Sequence, residues 1–215
     1  VQFTILALIA ILIGGLVEII PTYLVKSNIP TIESVKPYTP LELQGRDIYV
    51  REGCYTCHSQ MVRPFRSETE RYGEYAKAGE TVYDHPFQFG SKRNGPDLSR
   101  SGVKTGKMYK PDSWHYNHML DPRSVSSQSI MPAYPWLISD KLDISKTARK
   151  IRVMQTLGVP YQKGYDEIAN EELMKQANEI ANGLKASGID VEADREIIAL
   201  IAYLQRLGTD IYKKE

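Results

Sequence analysis

Cysteine is almost missing from these 215 residues: there are two, both inside the string 54–57. Net charge is missing as well, since 27 Lys and Arg against 26 Asp and Glu leave +1. Without an overall field to hold a polyanion, nucleic acid is not an expected partner. The chain also lacks the length of a large multidomain enzyme. No strand-like alternation, internal repeat or low-complexity stretch occurs, so the predicted fold class is mainly α. One absence is local: the first 25 residues carry a single charge, Glu18, whereas the chain after Lys26 is polar and punctuated by Gly and Pro. The mean hydropathy of −0.36 describes that later body and conceals an apolar beginning.

From Phe3 to Ile20 the residues are apolar or small except Thr4 and Glu18. Crossing a bilayer takes roughly 20 such residues, range about 17–25. A signal peptide is the rival reading, but Asn28-Ile29-Pro30 offers no clear small-residue cleavage site and no basic stretch precedes the run. Because the chain opens on Val1, residues ahead of it are expected, and orientation cannot be read from flanking charge. Glu18 suits either the interface or a partner in the membrane, and Gly14-Gly15 would let a neighbouring helix come close. The expected organisation is a single transmembrane anchor over 1–25, a proline-marked linker over 26–38 and one domain over 39–215, with a helical insertion at about 140–188.

The two cysteines stand in Gly53-Cys54-Tyr55-Thr56-Cys57-His58. C-x-x-C-H is the attachment pattern of c-type haem: two thiols meet the two vinyl groups of one porphyrin, and the next residue brings an imidazole to the iron. A zinc site would need further ligands, and a redox dithiol has no need of the histidine. Cys54, Cys57 and His58 are therefore the expected anchors of one covalent haem c. Such haem is attached on the outer side of an energy-converting membrane, which puts the domain on the periplasmic face of a bacterial inner membrane.

A second axial ligand must come from elsewhere. Met61 is too close to His58 in sequence, Met154 and Met174 fall in amphipathic helical stretches, and Met108 and Met119 lack a fixed loop. Met131 lies in Ser129-Ile130-Met131-Pro132-Ala133-Tyr134-Pro135-Trp136, where prolines stiffen an extended segment. It is the expected distal ligand, with a core methionine as the plain reading and bis-histidine ligation through His85, His115 or His118 as the alternative. Asn94-Gly95-Pro96-Asp97-Leu98 resembles the Gly-Pro-x-Leu loop of class I cytochromes c, which implies that the Pro96 carbonyl accepts the His58 Nδ1–H.

Thr39-Pro40-Leu41-Glu42 reads as a helix start, with the helix running to about Glu52. Ile197, Leu200, Ile201, Leu204 and Leu207 repeat at the helical period, with Asp190 as expected cap and Gly208 as stop. Two more helices are predicted over Ile144–Leu157 and Asp166–Leu184, and a short one over Asp112–Asp121. Residues 68–84 hold five acids against two bases, and residues 91–110 hold six bases against Asp97 alone. Solvated loops are the plain reading. The functional one is an acidic docking patch for a basic carrier and basic partners for haem propionates, with Arg63 the nearest candidate.

Together Pro37-Tyr38-Thr39-Pro40-Leu41-Glu42, Gly45-Arg46-Asp47-Ile48-Tyr49, the haem motif with Ser59-Gln60-Met61-Val62-Arg63-Pro64-Phe65-Arg66, then Asp84-His85-Pro86-Phe87, Gly90-Ser91-Lys92-Arg93 and the Met131 segment resemble the membrane-anchored mono-haem cytochrome c subunit (FixO/CcoO type) of cbb-type haem-copper oxidases. The resemblance implies a class I cytochrome c-like domain whose first and last helices cross, with Gly45, Tyr49 and Tyr203 at the contact. It implies electron transfer from a soluble or membrane cytochrome c donor to the b haem of the catalytic haem-copper subunit, beside a di-haem cytochrome c subunit, with oxygen reduced in the partner. It also places Ser91 at an interfacial calcium. The cytochrome subunit of a nitric oxide reductase, or a free-standing tethered carrier, would share the anchor, the haem motif and the methionine. A haem-free thiol oxidoreductase would show no c-type absorbance.

Overall fold

The computed structural model describes residues 1–25, 30–90 and 92–213, of 22–24 the backbone only. Ser91, the expected calcium contact, and residues 26–29 of the expected linker lie outside the described residues. Helices account for all the regular structure among them apart from one isolated bridge between Lys141 and Arg195. The fold class is mainly α, as the sequence predicts.

The first helix, α1 (Gln2–Leu24), runs 23 residues, about 35 Å at 1.5 Å per residue. Its apolar side chains are exposed, Phe3 and Ile11 among them, and by length and composition Gln2–Pro21 can cross a membrane. Beyond it the chain joins the body earlier than a free linker would. Val35 is buried, the Lys36 N–H donates to Asp210 and the Tyr38 hydroxyl donates to Asp84, so residues 35–38 are already held down.

Helix α2 (Pro40–Arg51) starts as expected. The Thr39 hydroxyl accepts from the Glu42 N–H and the Glu42 carboxylate accepts from the Thr39 N–H, with Pro40 at the first helical position. The last long helix, numbered α9 in chain order (Glu196–Arg206), buries every residue from Glu196 to Leu204. It crosses α2 at Gly45, where an added Cβ would sit 1.9 Å from the Ala199 carbonyl oxygen. Only glycine admits that approach. Tyr49 and Tyr203 pack beside it with their rings tilted at 58°, centroids 5.4 Å apart. Leu41, Ile197, Leu200 and Tyr203, each fully or almost fully buried, drive the crossing at about 1.5–3 kcal/mol per side chain.

The intervening helices are α3 (Arg66–Tyr72), α4 (Asp112–Leu120), α5 (Pro122–Val125), α6 (Trp136–Ser139), α7 (Thr147–Thr156) and α8 (Tyr165–Ala186). The hairpin α7–α8 lies where the insertion is expected, with Gly158 at φ 91° in the turn, and Leu173, Ala177 and Leu184 of α8 enter the main core. Asp190 does not cap α9. Arg195 holds that position, because residues 140–142 run antiparallel to 194–196 and take their backbone groups: the Leu142 N–H donates to Asp194 and the Glu196 N–H to Asp140. Asp190 instead faces Lys185 at 4.0 Å on the surface.

Candidate haem-binding site

After the Glu52 cap of α2, Gly53 turns through the left-handed region at φ 70°, and Cys54–Thr56 form one 3₁₀ turn. The His58 N–H donates to the Cys54 carbonyl at 2.9 Å, closing the turn. Cys54 and Cys57 are half-buried and unbridged. Burial pushes the Cys54 thiol up to about 12, so its resting form is neutral.

The His58 ring lies against the 94–98 loop, and its Nδ1 is 2.8 Å from the Pro96 carbonyl oxygen. The loop is drawn in by backbone bonds from Gly95 N to Cys57 O (3.0 Å) and from Leu98 N to Ser59 O (2.8 Å). A Cβ on Gly95 would stand 2.3 Å from His58 Cε1, so the imidazole occupies the space a side chain would need. Desolvation lowers the His58 pKa, against the opposing pull of the Pro96 carbonyl and the Asp97 charge. A neutral imidazole whose Nδ1–H is committed to a carbonyl presents Nε2 as its lone pair.

Met131 is half-buried and packs against the same apolar cluster as Cys54 and Tyr134. Its segment is tied down at two points. The Tyr134 N–H donates to the Met119 carbonyl at the end of α4, and Trp136 Nε1 donates to Glu52, two residues before Cys54. Tyr134 lies near both cysteines, and its pKa is raised chiefly by burial. From α4, His118 stacks on Trp114 at 4.4 Å, and His58 is among the groups that lower its pKa after burial. His85 lies outside this cluster, exposed in its loop.

Arg63 pairs with Glu68 and lies 5.8 Å from the Phe65 ring centroid. Glu68 is shared with Arg93, and Arg93 and the Arg63 N–H together hold its carboxyl down at about 2. Part of the acidic stretch is paired within the chain, while Glu70 and Glu74 stay at the surface with their local partners Arg66 and Lys77. Glu68 pairs with Arg93, Glu80 with the fully buried Arg100, and Asp84 with Arg46, while Lys107 donates to the Glu70 carbonyl. The carboxylates of Glu68, Glu80 and Asp84 are thus paired inside the chain.

A haem fits this donor set. Two unbridged thiols stand at the required spacing, His58 Nε2 has no hydrogen-bond partner among the described residues, and Cys54, Met131 and Tyr134 pack against one apolar cluster. Buried nitrogens at His115 Nε2 and His118 Nδ1 have no hydrogen-bond partner among the described residues. No cluster of three His, Cys, Asp or Glu that could hold a separate metal ion occurs among the described residues. Reasoning from the sequence did not single out Asp97 or Gly95. Gly95 was legible as part of the Gly-Pro-x-Leu resemblance, whereas no local signal marked Asp97.

A helical body with one apolar anchor-length helix, and a histidine held by a loop carbonyl beside paired thiols, is the layout of a protein built around a single haem. The chain belongs to the FixO family, the mono-haem subunit of cytochrome c oxidase: its family model matches residues 1–211. Comparison with curated proteins finds no match. The protein is thus a haem-bearing subunit of an oxidoreductase complex and a partner of that oxidase's catalytic subunit.

Proposed function

We infer that this chain is the electron-relay subunit of a cbb-type oxidase. In this reading Cys54 and Cys57 would hold one haem c through thioethers, His58 and Met131 would ligate its iron, and Pro96 orients His58. Electrons would pass from a soluble or membrane cytochrome c donor to the b haem of the haem-copper subunit, in a complex that also holds a di-haem cytochrome c subunit. The domain over 39–215 stands on the periplasmic side of a bacterial inner membrane, held by the span over 1–25. Arg63 is the candidate propionate partner, and Ser91 as a calcium contact rests on the resemblance alone.

One observation carries the reading: the 2.8 Å contact of His58 Nδ1 with Pro96 O beside the two unbridged thiols. A haem supplies one-electron chemistry here. The chain's own residues contribute position and electrostatics. Pro96 fixes the imidazole's tautomer and rotation, and no side chain has to move a proton. Met ligation raises a haem's potential.

The test is Met131→Leu in the membrane-extracted oxidase. Covalent haem should remain, with a sharply lower midpoint potential and an altered ferric spectrum. An unchanged midpoint and spectrum would remove Met131 as ligand. A wild-type polypeptide whose mass equals that of its amino acids alone would remove the haem c itself.

A further inference from the structure

Asp97 is fully buried and collects every donor around it. Its Oδ2 accepts from Ser59 Oγ at 2.6 Å and from the Met61 N–H at 2.9 Å, with Arg93 Nη2 at 3.4 Å. Its Oδ1 accepts from the Ser99 N–H at 2.9 Å and from Ser99 Oγ. A carboxylate offers about four lone-pair sites, so this one is saturated, and every partner is a donor, as an acceptor-only anion requires. Two of those donors, Ser59 and Met61, belong to the segment immediately after His58. Ser99 belongs to the segment immediately after Pro96. One buried side chain therefore bolts together the two strips of backbone between which the His58–Pro96 bond is made.

Charge is the second property. Arg93, the cation nearest Asp97, is shared: it bonds Ser59 Oγ at 2.6 Å, the Met61 carbonyl at 2.9 Å and Glu68 at 2.8 Å as well. With Glu68 also claiming Arg93, the negative charge at Asp97 is only partly offset. Asp97 directly follows Pro96 and binds Ser59, which directly follows His58, so this charge sits next to the His58–Pro96 bond.

We propose that Asp97 is a positioning residue for the axial histidine, holding the Pro96 carbonyl on His58 Nδ1 and keeping a negative charge behind the imidazole that lowers the reduction potential of the haem. The proposal rests on His58 being the iron ligand. A negative charge behind the ligand favours the oxidised, more positive iron, and a firmly held Nδ1–H···O bond makes the imidazole a stronger donor. Both effects act in the same direction.

The experiment compares Asp97→Asn and Ser99→Ala with wild type in the intact, haem-loaded complex, reading polypeptide mass, ferric spectrum and midpoint potential. Asp97→Asn removes the charge at nearly constant shape. It should keep the haem attached and shift the reduction equilibrium about tenfold toward the reduced form, about 59 mV for one electron. Ser99→Ala removes only the hydroxyl donor while the Ser99 N–H keeps the carboxylate tied to the loop after Pro96, so its charge is less screened and the midpoint should move the opposite way by a smaller amount. A purely structural role would move both variants in one direction or neither. An unchanged or lowered midpoint in haem-loaded Asp97→Asn overturns the proposal. If Asp97→Asn does not mature, Ser99→Ala decides: a lowered midpoint supports the role, and an unchanged or raised one overturns it. Wild type without covalent haem would instead overturn the reading beneath it.

Discussion

The loops around His58 and the α7–α8 hairpin are built on opposite plans. Around His58, order comes from buried polar groups with fixed partners and from backbone pressed against backbone or ring. Asp97 is saturated, Glu68 is shared by two arginines, and Gly95 lies where any Cβ would strike the imidazole. In the hairpin, order comes from apolar side chains turned toward the core. Its outer face leaves Val153, Leu157 and Ile168 exposed, and an added Cβ at Gly183 would meet nothing within 4 Å. The first plan suits a site whose geometry has to be exact to tenths of an ångström. The second suits a scaffold, which tolerates change wherever volume is available.

The comparison breaks first, and most visibly, at Gly95. Gly95→Ala forces a methyl to 2.3 Å from His58 Cε1 and 2.8 Å from both ring nitrogens, so either the ring rotates or the loop retreats. Each outcome loses the Pro96 bond. Overpacking of this kind costs about 1–3 kcal/mol or more. The expected result is a large fall in haem per polypeptide with a disturbed ferric spectrum, read by pyridine haemochrome and absorbance. A wild-type haem content and spectrum would mean that the contact does not govern the ligand.

A smaller effect is expected from the charge ladder. Glu68 is held at about 2, first by its hydrogen bond from Arg93 and then by Arg63. A carboxyl depressed in the folded state stabilises the fold fully above its unfolded value, about 4.3, and loses that contribution as pH falls from there toward 2. Arg93→Gln should therefore cost about 2 kcal/mol at neutral pH and flatten the acid side of the stability profile between about pH 4.3 and 2. Denaturant midpoints measured across that range check it. Parallel curves for variant and wild type would show that Arg93 does not hold Glu68 down.

How much of each plan could be read in advance follows from the same contrast. Thr39 to Glu42 and the periodic leucines and isoleucines of α9 announce themselves because local propensity and helical period carry them, whereas the crossing at Gly45 comes from the family resemblance and not from the period. The C-x-x-C-H string announces the haem because its spacing is the chemistry. What stayed hidden were long-range polar partners. Nothing near Asp97 says that Ser59 and Met61, more than 35 residues earlier, will donate to it. Nothing in the run from 68 to 84 says that Glu68, Glu80 and Asp84 will pair with Arg93, Arg100 and Arg46. Asp190 failed as a cap for a related reason, since the pairing of residues 140–142 with 194–196 decides where α9 begins.

The smallest effect sharpens the contrast from the scaffold side. Gly183 sits in the last turns of α8, where glycine costs roughly 1 kcal/mol relative to alanine through lost backbone entropy. Because the added methyl meets no atom within 4 Å, Gly183→Ala should keep that gain and raise stability by about 0.5–1 kcal/mol, seen as a higher denaturation midpoint. Haem spectrum and potential should not move, in direct opposition to the same one-methyl change at Gly95. If Gly183→Ala altered the potential, the two regions would be coupled and the division between site and scaffold would fail. If it stabilised the separate chain but loosened the chain from its complex, the open space beside Gly183 would be the place where another subunit lies against α8.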